Sequence, residues 1–152
     1  MEFDELKGFL GDRFTTSKAI RIEHSHDESW HVPENIPDAI TYPNNTNEVS
    51  KIISFAYKKN IPVIPFGTGT ALEGHTHALK GGITINSCNM NKVIELNKAD
   101  MDCKVQAGIT RKELNNYIKD TGLFFPVDPG ADASLGGMCA TRASGTNTVR
   151  YG

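Results

Sequence analysis

Ile64-Pro65-Phe66-Gly67-Thr68-Gly69-Thr70-Ala71-Leu72-Glu73-Gly74 is the stretch on which the reading of this sequence turns. Residues 61–65 read as a strand that runs into a glycine-rich loop. Glycine accepts positive φ and lets the backbone come close to a ligand. Successive backbone N–H groups in such a bend converge into a concave nest for an anion. The hydroxyls of Thr68 and Thr70 add two donors, and a pyrophosphate suits that set. A P-loop is excluded, because no Gly-Lys-Ser/Thr triplet follows. A Rossmann fingerprint is excluded too. Its third small residue would fall at Leu72, and residues 73–82 are too irregular to open a helix. Taken alone, the loop is equally compatible with a tight strand connection that holds nothing.

A second cluster bears on that choice. Pro126-Val127-Asp128-Pro129-Gly130 leads into Ser134-Leu135-Gly136-Gly137-Met138 and then Ala143-Ser144-Gly145-Thr146-Asn147. Small residues with few apolar anchors pack poorly unless a flat ligand supplies the missing surface. The alternative is a close helix–sheet contact that requires small side chains.

The remaining elements alternate between the two regular types. Phe3, Leu6, Leu10 and Phe14 stand near helical spacing and predict an amphipathic helix over 2–14. Residues 15–38 read as polar and irregular, and 39–42 as a short strand. Asn45 and Glu48 mark a helix start, with Val49, Ile52, Ile53 and Ala56 as its buried face. Lys58 and Lys59 suit the negative end of its dipole, and Asn60 its left-handed stop. Residues 82–85 and 103–105 predict further strands. Thr110 and Glu113 form a second capping box, whose helix carries Leu114, Tyr117 and Ile118 and stops at Gly122. The fold class is therefore α+β.

Composition limits the function classes. At 152 residues the chain is about one domain long. It is 38% hydrophobic and 22% charged, which suits a globular core. A net charge of −2 leaves no basic footprint for nucleic acid or an anionic membrane. No stretch approaches the ~20 apolar residues of a membrane span. Cys88, Cys103 and Cys139 are odd in number and unpaired by spacing, so they are expected to pack as reduced thiols. The acidic first 14 residues look unlike a signal or transit peptide. A cytoplasmic setting is expected, with membrane contact only through other parts of a larger enzyme. His24, His26, His31, His75 and His77 are read as surface-loop residues, and no metal site is expected. Trp30 is expected to be a core or interface anchor. Asp128, between two prolines, reads as a turn residue rather than a base.

Taken together, the residues resemble the FAD-binding domain of the vanillyl-alcohol-oxidase type, also called PCMH-type, in the branch of D-lactate and glycolate dehydrogenases. The resemblance rests on residues 63–74, Asn89-Met90-Asn91-Lys92, Gln106-Ala107-Gly108-Ile109-Thr110, 125–130, Gly136-Gly137 and Val149-Arg150-Tyr151-Gly152, in the family's order. Asp27-Glu28-Ser29 resembles its start. Pro-Phe-Gly-Thr-Gly-Thr and Asp-Pro-Gly-Ala-Asp-Ala-Ser are shared with its mitochondrial-type D-lactate dehydrogenases.

The resemblance implies two α+β subdomains with FAD between them. The implied layout is a lead-in over 1–38, a first subdomain over 39–101, and the start of a second, truncated one over 102–152. It implies FAD binding by Pro65, Phe66, Gly67, Thr68, Gly69, Thr70, Leu72, Glu73 and Gly74, with the pyrophosphate at 66–70. It also implies contacts on the flavin and ribityl side from Asp128, Pro129, Gly130, Ser134, Gly136, Gly137, Ser144, Gly145 and Thr146. Thr70 stands where some relatives carry the histidine that bonds flavin covalently, so non-covalent FAD is expected. Arg142 and His75 depart from the family's small residues. Such enzymes oxidise a 2-hydroxy acid by hydride transfer to the flavin, and no catalytic residue of that reaction carries over to this stretch. The competing expectations are a non-catalytic remnant that folds or self-associates without flavin turnover, a partner of a separately encoded C-terminal half, and an unrelated anion-binding module.

Overall fold

The computed structural model describes residues 3–151. Glu2, the first residue of the expected N-terminal helix, and Gly152, the last of the 149–152 wording, lie outside them. The chain divides into two compact units at Asn89/Met90. The sequence reading had put the subdomain boundary at 101/102. The difference comes from β5 (Val93–Asn97), a strand the reading missed, which pairs antiparallel with β6 (Asp102–Val105) and so joins the second unit.

In the first unit, α1 (Asp4–Leu10) is shorter than the expected helix. Gly11 at φ +59 ends it, and a 3-10 turn leads to β1 (Phe14–Thr15). Residues 15–38 are not wholly irregular, because α2 (Lys18–Glu23) forms there. Then come β2 (Ala39–Thr41), α3 (Thr46–Lys59), β3 (Val63–Phe66) and β4 (Ile83–Asn86). The sheet order is β1-β2-β4-β3, with β2, β4 and β3 parallel and β1 antiparallel at one edge. All four residues of β4 are buried, as expected of a central strand covered on both faces. Leu6 and Leu10 of α1 and Ile52, Phe55 and Ala56 of α3 form one core with Ile83 and Ile85.

The helix signals explain α3 closely. Asn45 accepts the Glu48 N–H at 3.0 Å, and Asn60 closes the helix at φ +55. Glu48 reaches back one residue further than expected, to the Asn44 N–H, and both its oxygens pair with Arg13. Ile53, expected in the buried face, is half exposed, and Phe55 takes its place in the core.

The second unit holds β5, β6, α4 (Arg111–Ile118), α5 (Leu135–Thr141) and α6 (Thr148–Tyr151). Thr110 and Glu113 form the reciprocal capping box. Leu114 and Ile118 are buried with Ile109, while Tyr117 points to solvent. Among the described residues no helix is long and apolar enough to cross a membrane.

Candidate functional site

Ligands of open parallel sheets bind outside the carboxyl ends of the strands. In the first unit those ends carry Tyr42 after β2, Phe66 at the end of β3 and Asn86 at the end of β4. All three line one hollow of about 520 Å³, together with Thr68 and Gly69 of the glycine loop. Ile20, Glu23, His24, His26, Asp27 and Glu28, from α2 and the segment after it, line the rest.

The loop is shaped for close approach. Gly69 sits at φ +72, and a Cβ there would lie 2.9 Å from the Phe66 ring. Thr68 Oγ1 and Thr70 Oγ1 share a 3.1 Å hydrogen bond. The N–H groups of Thr68, Gly69 and Thr70 donate to no protein acceptor among the described residues. Of the candidate residues in the loop, Phe66, Thr68 and Gly69 face the hollow, whereas Pro65, Gly67, Thr70, Leu72, Glu73 and Gly74 do not line it. Leu72 and Glu73 are exposed.

Sequence reasoning missed the floor of this hollow. His24 is not a surface histidine. It is buried, its Nδ1 lies 2.9 Å from the Ile20 carbonyl and its Nε2 lies 2.9 Å from Asn86 Nδ2. With the proton on Nδ1, His24 donates to Ile20 and accepts from Asn86. Its ring also packs on Phe66 at 4.7 Å, so α2 is tied directly to the strand that presents the loop. Asn86 Oδ1 accepts the Cys88 N–H at 2.9 Å, which fixes the amide's orientation. The sequence predicts an irregular stretch over 15–38, whereas α2 forms there and His24 stands at its end.

His77 is likewise buried, and its Nε2 lies 3.4 Å from Asp27 Oδ1. Burial raises the Asp27 carboxyl, but hydrogen bonds from Ser29 and the neighbouring His77 outweigh it and hold the group below the ordinary carboxylate range. His26, His31 and His75 are exposed, as expected. Trp30 is almost fully exposed rather than a core anchor, and Cys88 and Cys139 are exposed rather than packed. Partial desolvation on its inner side still pushes the exposed Cys88 thiol above its ordinary range. Among the described residues no group of three or more His, Cys, Asp or Glu side chains is placed to hold a metal ion.

The second unit treats its small residues differently. Ser134 caps α5 by accepting the Gly137 N–H at 3.3 Å. Gly136 donates its N–H to the Ala107 carbonyl at 2.8 Å, and a Cβ at Gly136 would lie 2.8 Å from that oxygen. Close packing therefore accounts for this glycine. Asp128 accepts from the Asn147 N–H at 2.9 Å, from Asn147 Nδ2 at 3.0 Å and from Thr146 Oγ1 at 2.7 Å. Those bonds, the Asn147 N–H first, hold its carboxyl below the ordinary range. This is a turn clamp rather than a base. A Cβ on Gly145 would stand 2.3 Å from the Asp128 carbonyl oxygen. Gly130 has open space around it, and Ser144 and Thr146 are exposed. Arg142 is the left-handed C-cap of α5, at φ +53, with its side chain exposed.

A family model described as an FAD binding domain matches residues 37–152. The chain belongs to that family. The FAD-binding domain is 50% identical over 138 residues to "Probable D-lactate dehydrogenase, mitochondrial" of Danio rerio, across 91% of this chain and 28% of the relative. It is 46% identical to "D-lactate dehydrogenase [cytochrome], mitochondrial" of Arabidopsis thaliana, across 97% of this chain and 26% of the relative. It thus spans little more than a quarter of these relatives' length. Among solved structures, alkyldihydroxyacetonephosphate synthase superposes with a TM-score of 0.91 at 30% identity, over 99% of this chain and 33% of that one. p-Cresol methylhydroxylase superposes with a TM-score of 0.70 at 19% identity, over 83% of this chain and 26% of that one. The PCMH-type α+β fold expected from the sequence is borne out.

FAD, the group this family implies, can be tested against the residues present. The three unpartnered amides, the two threonine hydroxyls and the Gly69 approach match the donors and clearance a diphosphate needs. The residues fit.

Proposed function

We propose that this chain holds FAD non-covalently, as the cofactor-binding part of a flavin-dependent dehydrogenase for a D-2-hydroxy acid of the D-lactate or glycolate type. The observation that carries the reading is the bend at 68–70, where three backbone N–H groups without protein acceptors stand at the carboxyl end of a parallel strand. The names of the D-lactate dehydrogenases of Danio rerio and Arabidopsis thaliana support the substrate class. So does "Glycolate oxidase subunit GlcD" of Bacillus subtilis, 29% identical over 93% of this chain.

Thr68, Gly69 and Thr70 would hold the diphosphate by their N–H groups. Phe66 would shield one side of the bend, and Gly69 would leave room for close approach. In the second unit, Asp128 would hold the turn at 145–147 and so fix Gly145 and Thr146, which the family resemblance assigns to flavin contact. When bound, FAD would take up the hydride of a 2-hydroxy acid, and the protein would supply orientation and tuning. Thr70 offers a hydroxyl where some relatives have histidine, which supports non-covalent attachment. No catalytic group is assigned within these residues. Substrate binding and proton abstraction fall to other parts of the enzyme, whether in the same polypeptide or in a separately made piece.

The test is a titration of the purified chain with FAD and with FMN, followed by flavin fluorescence. The reading expects saturable quenching with FAD, much weaker binding of FMN, which lacks the diphosphate, and full release of flavin on acid precipitation. Equal binding of both flavins would sink the role given to the bend. Flavin that stays with the denatured protein would sink the non-covalent reading.

A further inference from the structure

The segment after α2 and the far half of the glycine loop are joined at several points. The Glu28 N–H donates to the Ala71 carbonyl at 2.9 Å. One residue earlier, Asp27 Oδ1 lies 3.4 Å from His77 Nε2, an ion pair when the ring carries its second proton. Both side chains are almost wholly out of solvent, at 0% and 4% exposure. The second Asp27 oxygen and His77 Nε2 make no hydrogen bond among the described residues, so the 3.4 Å pair is a charge contact, and His77 is the charged neighbour of the Asp27 carboxylate. Asp27 is itself held in place, because Oδ1 accepts the Ser29 N–H at 3.0 Å and the Ser29 hydroxyl at 2.6 Å. His77 is held from its other side by the exposed ring of His31, stacked at 5.7 Å, and by its own N–H bond to the Gly74 carbonyl. Gly74 must be a glycine here: it sits at φ +72, and a Cβ would lie 3.0 Å from the His77 ring.

We propose that Asp27 is a positioning residue for the diphosphate bend. Through His77 it latches residues 71–77 to the segment after α2, and so fixes the open end of the 68–70 turn. This rests on the FAD reading above. Asp27 acts on the cofactor through the loop, not by touching it. A buried charge that loses its charged partner is destabilised locally, so removing either member releases the latch. If release leaves the binding-competent bend about one-tenth populated, FAD affinity falls about tenfold.

The experiment compares Asp27→Asn, His77→Gln and the double variant in the full chain. FAD affinity is measured by fluorescence quenching, and hydrogen exchange is followed at the Glu28 and His77 amides without flavin. The latch expects each single variant to weaken FAD about tenfold and to speed exchange at both amides, with the double variant no worse than either single. Glu48→Gln, which loosens the same unit far from the loop, should leave FAD affinity unchanged. Unchanged exchange, with or without weaker FAD binding, overturns the latch, as do strictly additive losses. Should the single variants fail to fold, Ser29→Ala is read by the same two measurements. It should cost about threefold in affinity, and no change there counts against the proposal. If the unaltered chain binds no FAD, the cofactor reading falls, and exchange at the two amides alone decides whether the latch exists.

Discussion

The two compact units stiffen their glycine-rich segments by different means. Among the described residues, the first builds a four-stranded sheet with a packed cluster that joins α1, α3 and β4, and hangs its loop from the end of a strand in that sheet. The second has a two-stranded sheet and a smaller cluster of Ile109, Leu114 and Ile118. A lone two-stranded pairing is marginal in water, so packing alone does not stiffen it. It relies instead on polar clamps and close backbone contacts: the Asp128 bonds to Thr146 and Asn147, and Gly136 against Ala107. The lesson is that a binding edge can be stiffened by a sheet behind it or by a short polar turn folded on itself. The two fail under different insults.

The sharpest way to break the comparison is to empty each core. Ile52→Ala should cost the first unit about 3–4 kcal/mol, because a fully buried side chain leaves a cavity among α1, α3 and β4. Leu114→Ala removes a side chain of similar size from a core of three. It should melt the second unit's exchange protection while the first unit's amides stay protected. Urea titration with hydrogen exchange reads both, and a single cooperative loss in either variant would show that the two cores are not separable.

A backbone change comes next in size. Gly82 sits at φ +107, where a Cβ would lie 2.4 Å from the Pro62 carbonyl. That same carbonyl accepts the Ile83 N–H that begins the β3–β4 pairing. Gly82→Ala should therefore cost about 3 kcal/mol in thermal unfolding, more than an ordinary glycine replacement. Gly130→Ala in the second unit meets open space and should be close to neutral.

Much of this was legible from residues whose effect is local. The Thr110/Glu113 capping box, the Asn60 stop and the strand leading into the glycine loop follow from neighbours a few positions apart, and the structure agrees with them. The failures share a cause. α5 was hidden because Gly136 and Gly137 fill its first turn, and their use, a contact with Ala107 about thirty positions away, is not a local property. The buried side chains of His24 and His77 depend on Asn86 and Asp27, distant in sequence, so their polar, irregular surroundings alone read as surface loops. In the loop, the tight glycine bend was readable from the sequence, but which residues turn toward the hollow depends on α2, which a polar stretch concealed.

Acid acts on a polar contact in each unit with the same sign. Hydrogen bonds from Arg13 hold the Glu48 carboxyl below the ordinary carboxylate range. A depressed folded-state value means that the pair's stabilisation is present above the unfolded value and is lost as pH falls through the folded one. Glu48→Gln should therefore lower first-unit stability by about 1 kcal/mol at neutral pH, and the gap to the parent should close in acid. Asp128 has the same sign, so the turn at 145–147 should loosen over the same fall in pH, seen as faster exchange at the Asn147 amide.

The smallest effect is a gain. Arg142 takes the left-handed conformation at the end of α5, with its N–H turned back to the Cys139 carbonyl. A side chain in that region pays a steric cost that glycine avoids, and its exposed guanidinium forms no recorded ion pair among the described residues to offset it. Arg142→Gly should raise second-unit stability by about 0.5–1 kcal/mol, the unfolded chain's greater freedom cancelling part of the relief. The same change removes a bulky cation from the small-residue segment that the proposed function sets toward the flavin. Two measurements then divide two roles. Greater stability with unchanged FAD affinity makes Arg142 a strained cap and nothing else. Greater stability with weaker FAD binding gives the cation a part in holding the cofactor, and the strain becomes the cost of keeping it there.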